Sequence, residues 1–155
     1  MKFNSQICTT REQSERLLAL GLKKETSDMG LVKFLEGDGY TMAITEDYSF
    51  IDIPSWSLHR LIEMMPKSIY HKNLACFLII DQSVYVEYRH ILFGASQTIV
   101  EQFMKSNLWD NIICCIEWLI KEGYFNKKYL VDQEALEERC KGVLEYLDYI
   151  RGEEE

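Results

Sequence analysis

Residues 74–93, LACFLIIDQSVYVEYRHILF, constrain the fold more than any other stretch. They are two β-rich runs joined only by Asp81-Gln82-Ser83. A turn that short joins antiparallel neighbours, whereas a parallel pair needs a crossover of a dozen residues or more. The first run is apolar at both parities, which suits a central strand covered on both faces. A second hairpin is expected upstream. Tyr40, Met42 and Ile44 alternate with Thr41, Ala43 and Thr45, and Asp38-Gly39 supplies the backbone freedom of a tight turn. Residues 95–105, ASQTIVEQFMK, fit a further strand or a short helix equally well.

Helices surround these strands. TTREQSERLLALGL (9–22) opens on Thr9 with Glu12 three positions on, the capping-box spacing, and ends on Gly21 with Leu22 able to fold back on Leu17. This predicts a helix over 10–20. IPSWSLHRLIEMMP (53–66) predicts a short helix capped by Ser55 or Ser57 and stopped by Pro66. Its apolar face would be Leu58, Leu61, Ile62 and Met65. From 108 onward, Leu108, Trp109, Ile112, Ile113, Ile116, Leu119 and Ile120 fall in one broad helical arc. A last helix is expected after Asp132 as N-cap, with Val131 stapled to Leu136. Leu136, Cys140, Val143, Leu147 and Ile150 would be its seam, about two heptads long and too short for a coiled coil. The expected fold is α+β: a small, largely antiparallel sheet of three to five strands with N-terminal, central and two C-terminal helices. Residues 1–151 form a single domain in this reading, and 152–155 a disordered acidic tail.

Cys114 and Cys115 are the first place to look for chemistry. Adjacent residues on a helix diverge by about 100°, so the two sulfurs do not share one ion, and no C-x-x-C supplies further ligands. Cys115 sits at the flank of the apolar arc as a small core residue. Cys114 points nearly opposite, among Glu117, Trp118 and Lys121. There Glu117 opposes a thiolate and Lys121 lies too far along the helix to favour one. His59, His71 and His90 are distant in sequence from both. Asp38 and Glu46 lack the ligand spacing of a calcium loop. Tyr88, Arg89 and His90 would stack on nucleic acid only from one face, but strand alternation splits them and leaves a solvated sheet face. No nucleophile elbow, phosphate loop, dinucleotide fingerprint or zinc-protease motif occurs. The sequence therefore assigns no catalytic, cofactor or metal residue, and the chain reads as a non-enzyme.

Charge narrows the partners. The net charge is −8, and residues 101–155 carry 13 acidic against 7 basic side chains. Such a surface repels phosphate, which disfavours nucleic acid as a partner. Leu74–Ile80 is the longest apolar run, far short of the roughly 20 residues of a membrane span. The opening MKFNSQICTT has no apolar core of a signal peptide, and five scattered cysteines suit a reducing compartment, so a cytoplasmic location with free thiols is expected.

Three ordered blocks, ICTTREQSERLLALGL (7–22), IPSWSLHRLIEMMP (53–66) and DNIICCIEWLIKEGYFNKKYL (110–130), resemble a family of short proteins of no assigned activity from prophage-like and other mobile regions of gut anaerobes. The blocks cover about a third of the chain. The resemblance implies an accessory, element-borne protein and carries no functional residue across. The leading functional reading is a non-catalytic interaction protein of a phage or mobile element that binds another protein or itself. The apolar strip around Trp118 would be covered by the final helix folding back within the chain or by a second copy, the first being favoured, with the leftover strip or seam supporting a homodimer through the C-terminal helices. The alternatives are a small hydrolase or thiol enzyme with an unrecognised site, and an acidic mimic of nucleic acid.

Overall fold

The computed structural model describes residues 6–33, 40–43, 51–81, 85–91 and 97–132. The segment that follows, 133–155, lies outside the described residues, and with it fall the expected last helix, its seam and the acidic tail.

Helix α1 (Arg11–Ala19) begins one residue later than its sequence signal suggests. Thr10, not Thr9, is the N-cap, and it shares a reciprocal capping box with Gln13 in place of Glu12. Thr9 is instead drawn inward: its backbone N–H donates to the Trp56 carbonyl, and its hydroxyl bonds Ser14 and Ser55. The helix ends as predicted. Gly21 takes φ +91°, and Leu22 N–H reaches back to the Leu17 carbonyl at 3.2 Å, with both leucines in the core.

Strands β1 (Met29–Lys33), β2 (Tyr40–Ala43) and β3 (Ile53–Ser55) form an antiparallel sheet in the order β2-β1-β3. The expected hairpin is present, with Lys33 opposite Tyr40, while its turn at Asp38-Gly39 lies outside the described residues. The predicted central helix starts later than its N-terminal residues implied, because 53–55 are spent on β3. What remains is α2 (Leu58–Met64), capped by Ser57 and released into extended backbone at Met65, just before Pro66.

The second sheet is a meander, β4 (Ser68–His71), β5 (Leu74–Asp81), β6 (Tyr85–Ile91) and β7 (Gln97–Phe103), each antiparallel to the next. Residues 97–103 are thus strand, resolving the ambiguity of that segment. Sequence reading missed β4, whose turn into β5 is the pair Lys72-Asn73 with φ +48° and +65°. Two consecutive residues in that region make the mirror-image turn that matches strand twist. The single sheet of the sequence reading is therefore two sheets, of three and four strands, because β3 pairs back on β1 before α2 interrupts.

Helix α3 (Leu108–Lys121), capped by Asn107, packs on β6 and β7 and touches α1 and α2, while α1 packs on β3. Ile112, Ile113, Cys115, Ile116 and Leu119 meet Val86, Tyr88 and Cys76 in one core. Chain ends of this core are tied together where Leu22 bridges Leu130 and Val131 N–H donates to the Gly21 carbonyl at 2.8 Å.

Candidate functional site

The register of the meander decides what each face can do. Ile69, Cys76, Leu78, Val86, Tyr88 and Phe103 point toward α3. This inner face also covers Trp118, whose ring lies 5.9 Å from Tyr88, 6.2 Å from Phe103 and 5.6 Å from Tyr124 between centroids. The strip that looked unpartnered on a helical projection therefore faces the sheet. Neither a final helix nor a second copy is needed to cover it.

Cysteine chemistry is set by the same packing. The four cysteines among the described residues are free thiols. Cys115 is fully buried, and burial pushes its pKa up to about 12. Cys8 is also raised, first by burial. A thiol held protonated in this way is a poor nucleophile. Cys114 is half-buried with Arg16 Nη2 3.6 Å from its sulfur, a cation supplied by α1 that helical spacing within α3 did not reveal. Arg16 is, however, committed to Glu117, and that hydrogen bond is the main cause of its raised pKa.

Cys76 and His90 are directly opposed across β5 and β6, the one thiol–imidazole juxtaposition that the described registers create. Nδ1 of His90 lies 2.8 Å from the Ala75 carbonyl, so it carries the proton, and the Cys76 thiol points to the Leu74 carbonyl. Cys76 is buried to within 1%. Cys76 belongs to the core, while His90 is partly exposed and is held by a backbone carbonyl. His71 donates to or accepts from the Tyr124 hydroxyl at 3.0 Å, and His59 is exposed. Asp38 and Glu46 lie outside the described residues. Among the described residues no group of three or more His, Cys, Asp or Glu side chains is placed to hold a metal ion.

Open grooves among the described residues include the following two. One of about 400 Å³ lies between Met64–Pro66 and Tyr124, Asn126 and Tyr129. The other, about 610 Å³, lies at the C-terminal ends of α1 and α3, lined by Leu20, Ile120, Leu130, Lys23 and Lys127. Lysines suit that position because the carbonyl ends of helices carry partial negative charge, and Lys23 Nζ already donates to the Lys128 carbonyl. Neither groove is lined by a cysteine or histidine among the described residues.

The outer face of the meander is different. Tyr70 is 75% exposed, Phe77 45%, Ile91 49% and Ile99 45%, and all four point away from α3 on adjacent strands. The sequence pattern of β5 had suggested cover on both faces; on the outer face Phe77 is exposed, while Ile79 further along the strand is partly covered. At the centre of this face Glu87 is fully buried, ion-paired with Arg89 and accepting a hydrogen bond from Gln102. Alternation does separate Arg89 from Tyr88 and His90, as expected. The face it joins is apolar and exposed around Tyr70 and Phe77 and covered around Glu87, in place of the solvated surface expected. Sequence reading missed this site because exposure of an apolar parity cannot be told from burial by pattern alone. Comparisons of the chain with models of protein families, with curated proteins and with solved structures return no match.

Proposed function

We propose that this protein is a non-catalytic interaction protein whose binding surface is the outer face of the four-stranded sheet. The observation that carries the reading is the clustering of Tyr70, Phe77, Ile91 and Ile99 on one face. Scattered exposed apolar residues are ordinary, but a contiguous patch of large ones marks a surface that another molecule covers. The thiols and imidazoles, by contrast, sit in the core, in ion-paired settings or away from the grooves. The resemblance of three sequence blocks supports an accessory role in a phage or mobile element, and the net charge of −8 argues against duplex DNA as the partner.

Site-specific photo-crosslinking in cells tests the surface. A benzophenone side chain at position 77 should capture a protein, whether another or this one, and the same group at exposed Lys24, outside the four-stranded sheet, should not. Equal and low crosslinking at both positions would refute the reading.

A further inference from the structure

We infer that the free edge of β4 docks an extended acidic peptide, which joins the four-stranded sheet as a further strand and sets one large apolar side chain in the groove beside it. This edge is distinct from the outer face, and neither assignment depends on the other. β4 stands at the end of the order β4-β5-β6-β7, so one of its sides has no neighbouring strand among the described residues. The hairpin through Lys72-Asn73 fixes which residues line that side. His71 pairs with Leu74 and Ile69 with Cys76, and Leu78 N–H donates to the Lys67 carbonyl at 3.0 Å. Lys67, Ile69 and His71 therefore direct their backbone groups at β5. Alternation turns the N–H and C=O of Ser68 and Tyr70 the other way. Both residues are exposed, and no strand or loop among the described residues bonds those outward groups.

A strand edge supplies affinity through its amides, and pockets for alternate side chains supply specificity. The groove of about 400 Å³ has one wall in Met64, Met65 and Pro66, the residues that lead into β4. Its other wall includes Tyr129 and Tyr124, whose hydroxyl lies 3.0 Å from His71 Nδ1 at the far end of the strand. Both walls are thus tied to the ends of β4. Directly opposed residues of an antiparallel pair share a face of the sheet, so a peptide residue opposite Ile69 points inward as Ile69 does. Methionines and tyrosine rings suit a large apolar or aromatic side chain there.

Charge selects the occupant. Lys67 and Lys72 bracket β4, both exposed and neither ion-paired among the described residues. The carboxylate that lines the groove, Glu63, is paired with Arg60 at 2.8 Å. A second copy adding its own β4 about a two-fold axis would bring Lys67 of each chain opposite Lys72 of the other, and like charges so opposed destabilise a pair. Glutamates at those two positions of a peptide reverse the sign. The opposite edge, β7, is guarded differently: its register with β6 shifts between Tyr88 and Arg89, and exposed Glu101 repels an acidic strand. Only Ser68 and Tyr70 offer amides to the peptide, so binding should be weak and reversible.

Fluorescence anisotropy tests the site, with the full chain titrated into a labelled valine–threonine peptide. The peptide carries a central phenylalanine, one glutamate two positions after it and another three positions before it, to meet Lys67 and Lys72. We expect saturable binding with a dissociation constant of about 10–500 µM. Exchanging both glutamates for lysines should weaken it about tenfold or more, and so should N-methylating the two residues beside the phenylalanine, whose N–H groups face Ser68 and Tyr70. Tyr70→Pro removes an outward N–H and no bond to β5, so it should bind about tenfold more weakly than Tyr70→Ala, with circular dichroism confirming both folds. The N-methylated peptide decides the matter should the proline variant not fold. Absence of saturation at about 1 mM, or binding indifferent to either change in the peptide, overturns the inference. Capture by position 77 in cells without peptide binding leaves the outer-face reading standing and removes this one.

Discussion

Single residues in this protein are governed by burial more than by their own chemistry. Cys115 could be placed on the core side of its helix from a 100° projection, and Cys114 off it, because divergence of neighbours is a property of the helix itself. The Arg16 contact to Cys114 could not be read, since it depends on how α1 meets α3. Nor could the Cys76–His90 pair, which exists only once a strand register is chosen. Burial also has a pH consequence. Folding raises the pKa of Cys115 and of Tyr88, in each case chiefly by desolvation. Each raised value means that the folded state holds its proton after the unfolded chain has begun to lose it. The stabilisation is complete below the unfolded values, about 8.5 for a thiol and about 10 for a phenol, and is lost as pH rises toward the folded ones. Unfolding free energies from urea titrations should accordingly fall from about pH 9 upward, by up to about 1.4 kcal/mol per pH unit for each group titrating in the unfolded chain alone. Cys115→Ala should lose its share of that slope while being less stable at pH 7. A flat profile between about pH 8.5 and 11 would contradict the burial assignments.

At the scale of elements, capping and turn signals located most boundaries to within a few residues. Gly21, Ser57 and Pro66 act as their chemistry predicts. Errors came where one residue served tertiary structure in place of local structure, as Thr9 does by joining the Ser14–Ser55 network. Strand β4 was missed because its turn carries Lys72-Asn73 without a glycine, a weaker signal for the same backbone shape. The role of Trp118 was misjudged for a related reason. A helical projection shows which residues share an arc but not how wide a neighbour lies against it, and a four-stranded sheet covers a wider arc than a helix does. Trp118→Ala removes ring contacts with Tyr88, Phe103 and Tyr124 and should destabilise the fold by about 3 kcal/mol, the low end for aromatic truncation because the ring is half-buried. Chemical denaturation at constant protein concentration measures it. A loss under about 1 kcal/mol accompanied by loss of dimer would place Trp118 in an interface instead.

For the molecule as a whole, the α+β class and antiparallel pairing could be read because both follow from short-range patterns. The division into two sheets could not, since it depends on β3 pairing with β1 across some two dozen residues. The same contrast in pairing distance has a temporal meaning. β4 to β7 are consecutive hairpins, and α3 follows them directly, so residues 68–121 close mostly local contacts. Leu22 and Leu130, by contrast, meet from opposite ends of the described chain. Closing a long loop costs entropy before its contacts repay it, so such pairings form late. The meander with α3 should form the folding nucleus, and the α1 terminus should dock onto it after the rate-limiting barrier. Kinetics of two core truncations distinguish this order from its reverse: Val86→Ala should mainly slow folding, and Leu22→Ala should mainly speed unfolding. The opposite pattern would mean that the strap between Gly21 and Val131 is made first. If the order holds, the strap acts as a latch on a nearly finished molecule: weakening it shortens the lifetime of the folded state while leaving the time needed to reach it almost unchanged.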